Sequence, residues 1–231
     1  MAQFDPHTVC AVVLAAGMGS RMGGVDKGLQ LLAGQPLAQH CVQRLQAQTT
    51  GAPGLIAINA NRNAEVYAQW GCPVWADDIV GYAGPLAGFQ TALQHCAAAP
   101  SDHTPMPHQH YAYLLTVACD TPRFPLDLLA RLAQALESQG ADIAVASAPE
   151  QSRSGQWTLR SQPVFCLLRT ALAPSLDAFL HRGGRKVDAW TAQHHTAMVA
   201  IDQPQDDPRA FFNANTLAEL RLLENTPARP V

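Results

Sequence analysis

Short apolar runs alternate along the chain with longer stretches in which apolar residues recur every three or four positions. Several runs are uninterrupted, which is typical of strands buried on both faces of a parallel sheet. The pattern predicts seven strands: Cys10–Leu14, Leu55–Asn59, Pro73–Trp75, Tyr111–Val117, Ile143–Ala146, Val164–Leu168 and Met198–Ile201. It also predicts seven helices: Pro36–Gln48, Asn63–Trp70, Leu86–Ala98, Leu126–Gln139, Thr170–His181, Arg185–His194 and Thr216–Glu224. This alternation predicts a three-layer α/β/α fold with a mostly parallel sheet, whose ligands bind beyond the carboxyl ends of the strands.

Composition narrows the class of protein. The chain has 231 residues, a formal net charge of −3 and 48% hydrophobic residues, which suits a single α/β domain. The mild acidity does not favour nucleic-acid binding, and no apolar run reaches the ~18 residues of a membrane span. The first residues lack the features of a signal peptide. Six scattered cysteines without a C-x-x-C pair predict reduced thiols in a cytoplasmic protein.

A glycine-rich stretch, "LAAGMGSRMGGVDK", follows the first predicted strand. Its glycines would let backbone N–H groups approach a polyphosphate, and Arg21 and Lys27 would supply positive charge. The stretch lacks the G-x-x-x-x-G-K-[ST] string of a Walker A loop. A dinucleotide-binding G-x-G-x-x-G motif fails at Met22, and "NANR" replaces the acidic residue that a dehydrogenase needs after the second strand. The pattern therefore favours a nucleoside triphosphate loop.

Polar residues follow the other predicted strands. Asp120 comes directly after the fourth strand, in "CDTP", and Mg²⁺ is commonly held by one or two carboxylates together with substrate phosphates. Asn59 ends the second strand, and its amide suits a base edge or a ribose hydroxyl. Asp77 and Asp78 follow the third strand. These side chains are expected to meet the glycine-rich loop in one crevice, although each could also be an ordinary turn or cap residue.

Later segments supply further candidates. The turn "GYAGPLAG" (81–88) could form a wall beside a base, and "FFNANT" places two asparagines before Thr216, a good helix N-cap. The segment "HRGGRK" carries Arg182, Arg185 and Lys186, which would either cradle an anionic second substrate or form a solvated turn. The histidines of segment 97–110 have a spacing that matches no metal site, so a solvated loop is predicted there.

Taken together, "LAAGMGSRMGGVDKGL", "NANR", "GPLAG", "CDTP" and "FFNANT" resemble, in the same order, the motifs of the molybdenum cofactor guanylyltransferases, the MobA family. The resemblance covers roughly residues 9–223 and implies a Rossmann-like nucleotidyltransferase fold. It divides the single domain into a nucleotide-binding half (9–120), a cofactor-substrate half (121–223) and a tail (224–231). It implies Mg²⁺-dependent transfer of GMP from GTP to the terminal phosphate of molybdopterin, with release of pyrophosphate. Molybdoenzymes or their chaperones would be transient partners.

The resemblance also assigns residues to the reaction. Catalytic roles fall on Arg21, Lys27 and Asp120, of which Asp120 binds the metal. The implied nucleotide contacts are Leu14, Ala15, Ala16, Gly17, Gly19, Lys27, Asn59, Asp77, Gly84, Pro85, Leu86 and Asp120. Asn213 and Asn215 match a motif near the cofactor substrate or the metal. No Ser, Cys or His nucleophile is expected, because the attacking oxygen belongs to the substrate.

Two positions depart from the family pattern. Ala16 gives "LAAG", whereas the guanylyltransferases usually read "LAGG" and the related cytidylyltransferases more often read "LAAG". A cytidylyltransferase that uses CTP is therefore an alternative. Gln162 stands where the family often has a histidine. A non-catalytic nucleotide- or cofactor-binding protein is a remote alternative, because such a protein would not need Arg21, Lys27 and Asp120 together.

Overall fold

The computed structural model describes residues 4–17, 24–78, 84–97, 111–151 and 155–226. Its strands are β1 (Val9–Leu14), β2 (Leu31–Leu32), β3 (Gln35–Pro36), β4 (Leu55–Asn59), β5 (Val74–Trp75), β6 (Tyr113–Ala118), β7 (Ile143–Gln151), β8 (Trp157–Arg169) and β9 (Thr196–Ala200). Seven of them form one sheet in the order β5-β4-β1-β6-β8-β7-β9, while β2 and β3 form a separate antiparallel ribbon. Only β8 runs against the other six strands of the main sheet in this described part, so the predicted mostly parallel sheet is confirmed.

Helices cover both faces of this sheet. They are α1 (Leu37–Gln46), α2 (Ala64–Ala68), α3 (Pro85–Ala97), α4 (Leu128–Ser138), α5 (Ala173–His181), α6 (Val187–Thr191) and α7 (Leu217–Glu224). On β1, Val9, Ala11 and Val13 belong to the core that includes α1 and α4, whereas Cys10 and Val12 belong to the core that includes α3, α5 and α6. A strand packed on both faces requires an uninterrupted apolar sequence, which "VCAVV" supplies. The three-layer α/β/α architecture is therefore confirmed.

The largest difference from the predicted elements is a long ribbon made by β7 and β8. Residues 147–151 of β7 pair antiparallel with residues 157–161 of β8, and the register shifts between Val145 and Ser147. The sequence prediction began β8 only at Val164 and ended β7 at Ala146. It missed the ribbon because residues 157–161 are exposed on both faces and show no apolar run. The ribbon of β2 and β3 was missed because two-residue strands carry no periodicity.

Helix α6 is also shorter than predicted. The sequence prediction began it at Arg185, but the structure begins it at Val187, after an extended Lys186 with φ of −95° and ψ of 129°. All six cysteines are free, and only Cys72 is not fully buried. Within the residues that the structure describes, no helix has the length and apolar character needed to cross a bilayer.

The sheet topology creates a crevice at one edge. β4 and β6 lie on opposite sides of β1 and run parallel to it, so all three strands end at the same edge. The chain order changes direction at β1, which is the arrangement that opens a ligand crevice in open α/β sheets.

Candidate active site

A cavity of about 810 Å³ opens at this crevice. Eleven residues predicted from the sequence line it: Leu14, Ala15, Ala16, Gly17, Lys27, Asn59, Asp77, Gly84, Pro85, Asp120 and Asn213. They come from the ends of β1 and β4, from the segments after β1, β5 and β6, from the start of α3 and from the segment before α7. The structure thus brings together residues that are separated by up to two hundred positions in the chain.

Lys27 occupies the centre of the polar contacts in this cavity. Its Nζ lies 3.2 Å from Oδ2 of Asp120 and donates a hydrogen bond of 2.6 Å to Oδ1 of Asn215. The side chains of Lys27 and Asp120 are only 21% and 16% exposed, so solvent screens the pair less than it would a surface pair. A cation and a carboxylate, both partly withdrawn from water, therefore lie side by side in the wall of the cavity.

The segment that carries Lys27 is held in place by α2. Asp26 caps a short 3₁₀-helix (Lys27–Leu29) by accepting a hydrogen bond from the backbone N–H of Gly28. The same carboxylate accepts hydrogen bonds from the Tyr67 hydroxyl at 2.6 Å and from Nδ2 of Asn63 at 3.0 Å. A Cβ on Gly28 would collide with the Tyr67 hydroxyl, so glycine is needed for this close approach. Burial and the bond to Asp26 raise the pKa of Tyr67, which keeps the hydroxyl a donor.

The segment before α7 packs against the turn that carries Asp120. The backbone N–H of Ala214 donates to the carbonyl of Asp120 at 2.8 Å, and the Thr121 hydroxyl donates to Oδ1 of Asn213. Thr216 caps α7 as predicted, since its Oγ1 accepts from the backbone N–H of Glu219 at 3.1 Å. Glu219 in turn accepts from the backbone N–H of Asn215 at 2.9 Å. The cap therefore fixes the backbone of Asn215, whose side chain contacts Lys27.

A second group of polar contacts surrounds Asp77. Its Oδ1 accepts from Nδ2 of Asn59 at 2.8 Å, and its Oδ2 accepts from Nδ2 of Asn61 at 2.8 Å. Asn59 is only 2% exposed and donates also to the carbonyl of Trp75 at 3.1 Å. Its two amide hydrogens are thereby used within the protein. Asn59 therefore holds Asp77 and the end of β5, and Asp77 is the group with acceptor capacity left for a ligand.

Helix α3 comes very close to this group at Gly88. A Cβ on Gly88 would collide with Oδ1 of Asn59 and would lie 2.6 Å from Cδ2 of Leu14. Both of those residues line the cavity. Gly88, the second glycine of "GPLAG", is therefore explained by helix packing against the cavity floor, whereas Gly84 serves the turn before the helix with a φ of 69°.

The thiols near the cavity are not poised as nucleophiles. Cys41 donates from Sγ towards the carbonyls of Ala118, Cys119 and Thr121, the residues that flank Asp120. Burial, and then the nearby Asp120 carboxylate, raise the pKa of the Cys41 thiol, and the same causes raise that of Cys119. Burial therefore disfavours the thiolate form of both cysteines. Neither the described cavity wall nor its bonded neighbours include a histidine.

The glycine-rich loop is described only at its two borders. Arg62 donates to the carbonyl of Gly24 at 2.8 Å and to that of Gly17 at 3.4 Å, so the arginine of "NANR" joins both borders. Gly19, a predicted nucleotide contact, and Arg21, a predicted catalytic residue, lie outside the described residues, as do the histidines of segment 97–110.

Four of the remaining predicted residues lie away from the cavity wall. Leu86 is fully buried, because it belongs to the apolar side of α3 that packs in the core. Arg185 donates from Nη1 to the carbonyls of Leu180 at 3.0 Å and Gly184 at 2.7 Å, which caps the end of α5. Lys186 and the equally exposed Arg182 lie in the same segment. This basic segment nevertheless borders the site, since a Cβ on Gly84 would be 3.8 Å from the Arg185 carbonyl.

One wall of the cavity was not predicted. Residues 162–165 of β8 line it beside Ala118 and Cys119 at the end of β6. They reach this position because β8 continues past the end of β6 towards the ribbon. Gln162 was noted only as a departure from a family pattern. The polar Gln162, which precedes a proline at the start of an apolar run, was the feature of the sequence that could have indicated this wall.

Comparisons with known proteins agree with this geometry. The sequence profile of the MobA-like NTP transferase domain matches residues 11–205. The molybdenum cofactor guanylyltransferase of Albidiferax ferrireducens is 57% identical over 220 residues, which cover 95% of this chain and 97% of that protein. The enzyme of the same name from Bordetella pertussis is 46% identical, with coverage of 96% and 99%.

Two solved structures share the fold at low identity. Molybdopterin-guanine dinucleotide biosynthesis protein A from Archaeoglobus fulgidus has a TM-score of 0.66 at 17% identity and covers 93% of this chain and 96% of its own. The 4-diphosphocytidyl-2C-methyl-D-erythritol synthase of Anaerococcus prevotii has the same TM-score at 10% identity, with coverage of 95% and 98%. These two structures show the fold alone, whereas the long sequence matches at higher identity show the family. The chain belongs to the molybdenum cofactor guanylyltransferase family, whose members carry the MobA-like NTP transferase domain.

Proposed function

We propose that the protein transfers GMP from GTP to the terminal phosphate of molybdopterin cofactor and releases pyrophosphate. The observation that carries the proposal is the meeting of Lys27 with Asp120 and Asn215 at a cavity beyond the carboxyl ends of the strands. It is supported by relatives that are up to 57% identical and are named molybdenum cofactor guanylyltransferases. The enzyme class, a nucleotidyltransferase, follows from the family.

In the proposed reaction, a phosphate oxygen of molybdopterin attacks the α-phosphorus of GTP. A new P–O bond forms there, and the bond from the α-phosphorus to the oxygen that bridges to the β-phosphate breaks. Pyrophosphate leaves with the electron pair. The chain contributes positioning and charge stabilisation. Lys27 would turn from Asp120 towards the phosphates, while the backbone of residues 14–17 would contact the nucleotide.

Asp120 would hold Mg²⁺ in this reaction. The residues present fit such an ion, because the Asp120 carboxylate, with nearby amide oxygens, is the kind of partial donor set that Mg²⁺ completes with phosphates and water. Among the described residues, no cluster of three His, Cys, Asp or Glu forms an all-protein metal cage. When bound, Mg²⁺ would neutralise charge on the phosphates during transfer. Asn213, which lines the cavity beside the Asp120 turn, would orient phosphate or metal-bound water.

Guanine selection would come from Asp77. A carboxylate offers about four acceptor sites, and the amides of Asn59 and Asn61 fill two of them. The remaining two match the adjacent N1–H and N2–H donors of guanine. Cytosine offers a single exocyclic amine on that edge, so the arrangement favours GTP over CTP despite Ala16 in the loop. The curated names of the relatives favour the same nucleotide.

The decisive experiment measures pyrophosphate release with molybdopterin cofactor, Mg²⁺ and each of the four nucleoside triphosphates in turn. We expect release with GTP that depends on Mg²⁺ and on the cofactor substrate. Release with CTP but not with GTP would identify the protein as a cytidylyltransferase instead. Binding of GTP without any release would indicate a non-catalytic nucleotide-binding protein, and both results would contradict the proposal.

A further inference from the structure

We propose that Asn61 is a specificity-determining positioning residue, which aims the Asp77 carboxylate at the guanine base without touching the nucleotide. The inference rests on the proposed function, because it assigns a role within the same guanine site. It is drawn from a reciprocal pair of hydrogen bonds between the two residues. Nδ2 of Asn61 donates to Oδ2 of Asp77 at 2.8 Å, and Oδ1 of Asn61 accepts from the backbone N–H of Asp77 at 2.8 Å.

The two hydrogen bonds of Asn61 hold both the backbone and the side chain of Asp77. Asn61 binds the backbone and the carboxylate of Asp77 at once, so it restricts both the position of the residue and the rotation of its side chain. Asn59 binds only the other carboxylate oxygen. If Asn61 were absent, the carboxylate could still be held by Asn59 but could rotate about that single bond.

Asn61 itself does not belong to the cavity wall, whereas Asp77 does. Asn61 is exposed and lies two residues beyond the end of β4. An exposed asparagine whose donor and acceptor both go to one cavity-lining residue acts through that residue. Its effect should therefore appear in the recognition of the base and not in the chemistry at the phosphates.

The charge environment makes this orientation matter. No Lys or Arg among the described residues forms an ion pair with Asp77, so its negative charge is satisfied only by neutral amide donors. Hydrogen bonds to a charged acceptor are stronger than those between neutral groups. The donors of the base would then complete the site, provided that both carboxylate oxygens face them together.

Inosine triphosphate is the probe that isolates this contact, because it lacks only the exocyclic N2 amine of guanine. The experiment measures the thermal shift and the dissociation constant for GTP and for inosine triphosphate, without the cofactor substrate, in the full chain. The wild-type protein should bind GTP roughly tenfold to a hundredfold more tightly, the range expected for one hydrogen bond to a charged group. In Asn61→Ala the ratio of the two dissociation constants should fall to within about threefold of unity. The remaining preference for GTP would then be worth less than one net hydrogen bond between neutral groups.

Glu65→Gln is the control. It changes an exposed side chain of α2, four residues beyond Asn61, that has no hydrogen bond or ion pair with Asp77. This variant should keep the wild-type ratio of affinities. The turnover number with saturating GTP should change little in Asn61→Ala, while the KM for GTP rises. The unliganded melting temperature distinguishes this specific effect from general loss of structure.

Two failures can be told apart. If Asp77→Ala abolishes the preference for GTP over inosine triphosphate but Asn61→Ala leaves it intact, the inference about Asn61 is wrong and the guanine role of Asp77 stands. If Asp77→Ala also leaves the preference intact, the guanine role of Asp77 fails together with the inference. An equal loss of affinity for both nucleotides in Asn61→Ala would show a purely structural role and would overturn the inference.

Discussion

Nζ of Lys27 lies 3.2 Å from Oδ2 of Asp120, so the cavity contains a preformed ion pair that both a metal ion and a triphosphate would rearrange. Lys27→Ala should lower turnover by about 10²–10³-fold, the loss typical for removal of one group that stabilises transition-state charge. Asp120→Asn keeps the shape of the side chain but removes its charge, so it should also abolish the dependence of the residual rate on Mg²⁺.

Both variants are measured by pyrophosphate release across a Mg²⁺ titration, with Arg221→Ala on the exposed side of α7 as the control. Normal Mg²⁺-dependent turnover in Asp120→Asn would contradict the role assigned to that carboxylate. Normal turnover in Lys27→Ala would contradict the role of the lysine.

Gly88→Ala tests the packing of α3 against the cavity. The new methyl group would press on Asn59 and Leu14, so we expect a loss of about 1–3 kcal/mol in the free energy of unfolding, as in other overpacked cores. The GTP dissociation constant should rise as well, because both displaced residues line the cavity. Urea unfolding and nucleotide titration measure the two effects. Gln94→Ala, an exposed change on the same helix, should leave both unchanged.

The basic segment at residues 182–186 should contribute to binding of the anionic cofactor substrate. Within the described part of the chain, neither Arg182 nor Lys186 has a side-chain hydrogen bond or ion pair, whereas Arg185 caps α5. Arg182→Glu and Lys186→Glu should each raise the KM for molybdopterin several-fold and leave the KM for GTP unchanged, with the effect weakening at high salt. Arg185→Glu should do the same and also lower the melting temperature, because it removes the cap.

The comparison of KM values at low and high ionic strength checks this prediction, with Arg221→Glu as a charge reversal elsewhere. Equal effects of the reversals at 182 and 221 would mean that only the net charge of the protein matters.

His95 should make stability depend on pH. Its ring stacks on Trp75 with centroids 4.2 Å apart, and burial lowers the pKa of His95 below its ordinary value of 6.5. The unfolded chain therefore binds a proton more readily than the folded protein, so the free energy of unfolding decreases as the pH falls through and below about 6.5. His95→Gln should flatten this decrease, as urea unfolding between pH 5 and 8 would reveal. Gln94→Ala, an exposed change on the same helix, should keep the wild-type slope.

Much of the site could be predicted because several of its polar residues lie at the ends of apolar runs or just beyond them. Asn59 ends β4, and Asp77 and Asp120 follow β5 and β6, whose carboxyl ends lie at the same edge of the sheet as that of β4. That rule needs no knowledge of how distant helices pack. The contacts of Lys27 with Asn215 and of Gly88 with Asn59 could not be derived in this way, because they depend on the angle and depth at which α7 and α3 dock.

The course of β8 was also beyond the sequence pattern. Its antiparallel direction and its extension to Trp157 depend on pairing with β7, and its polar residues would suit a loop equally well. The wall at residues 162–165 was missed for that reason. Arg185 shows another limit, since an arginine that caps a helix and an arginine that binds a phosphate look the same in a sequence.

The hydrogen bond from Lys27 to Asn215 joins residues that are 188 positions apart in the chain. The entropic cost of closing a loop grows with its length, and contacts of such separation slow folding. During synthesis, a nascent chain that has just passed β6 and Asp120 contains both members of the ion pair but lacks Asn215 and the helix that holds it. The full polar arrangement around Lys27 can therefore form only after Asn215 and α7 have been synthesised.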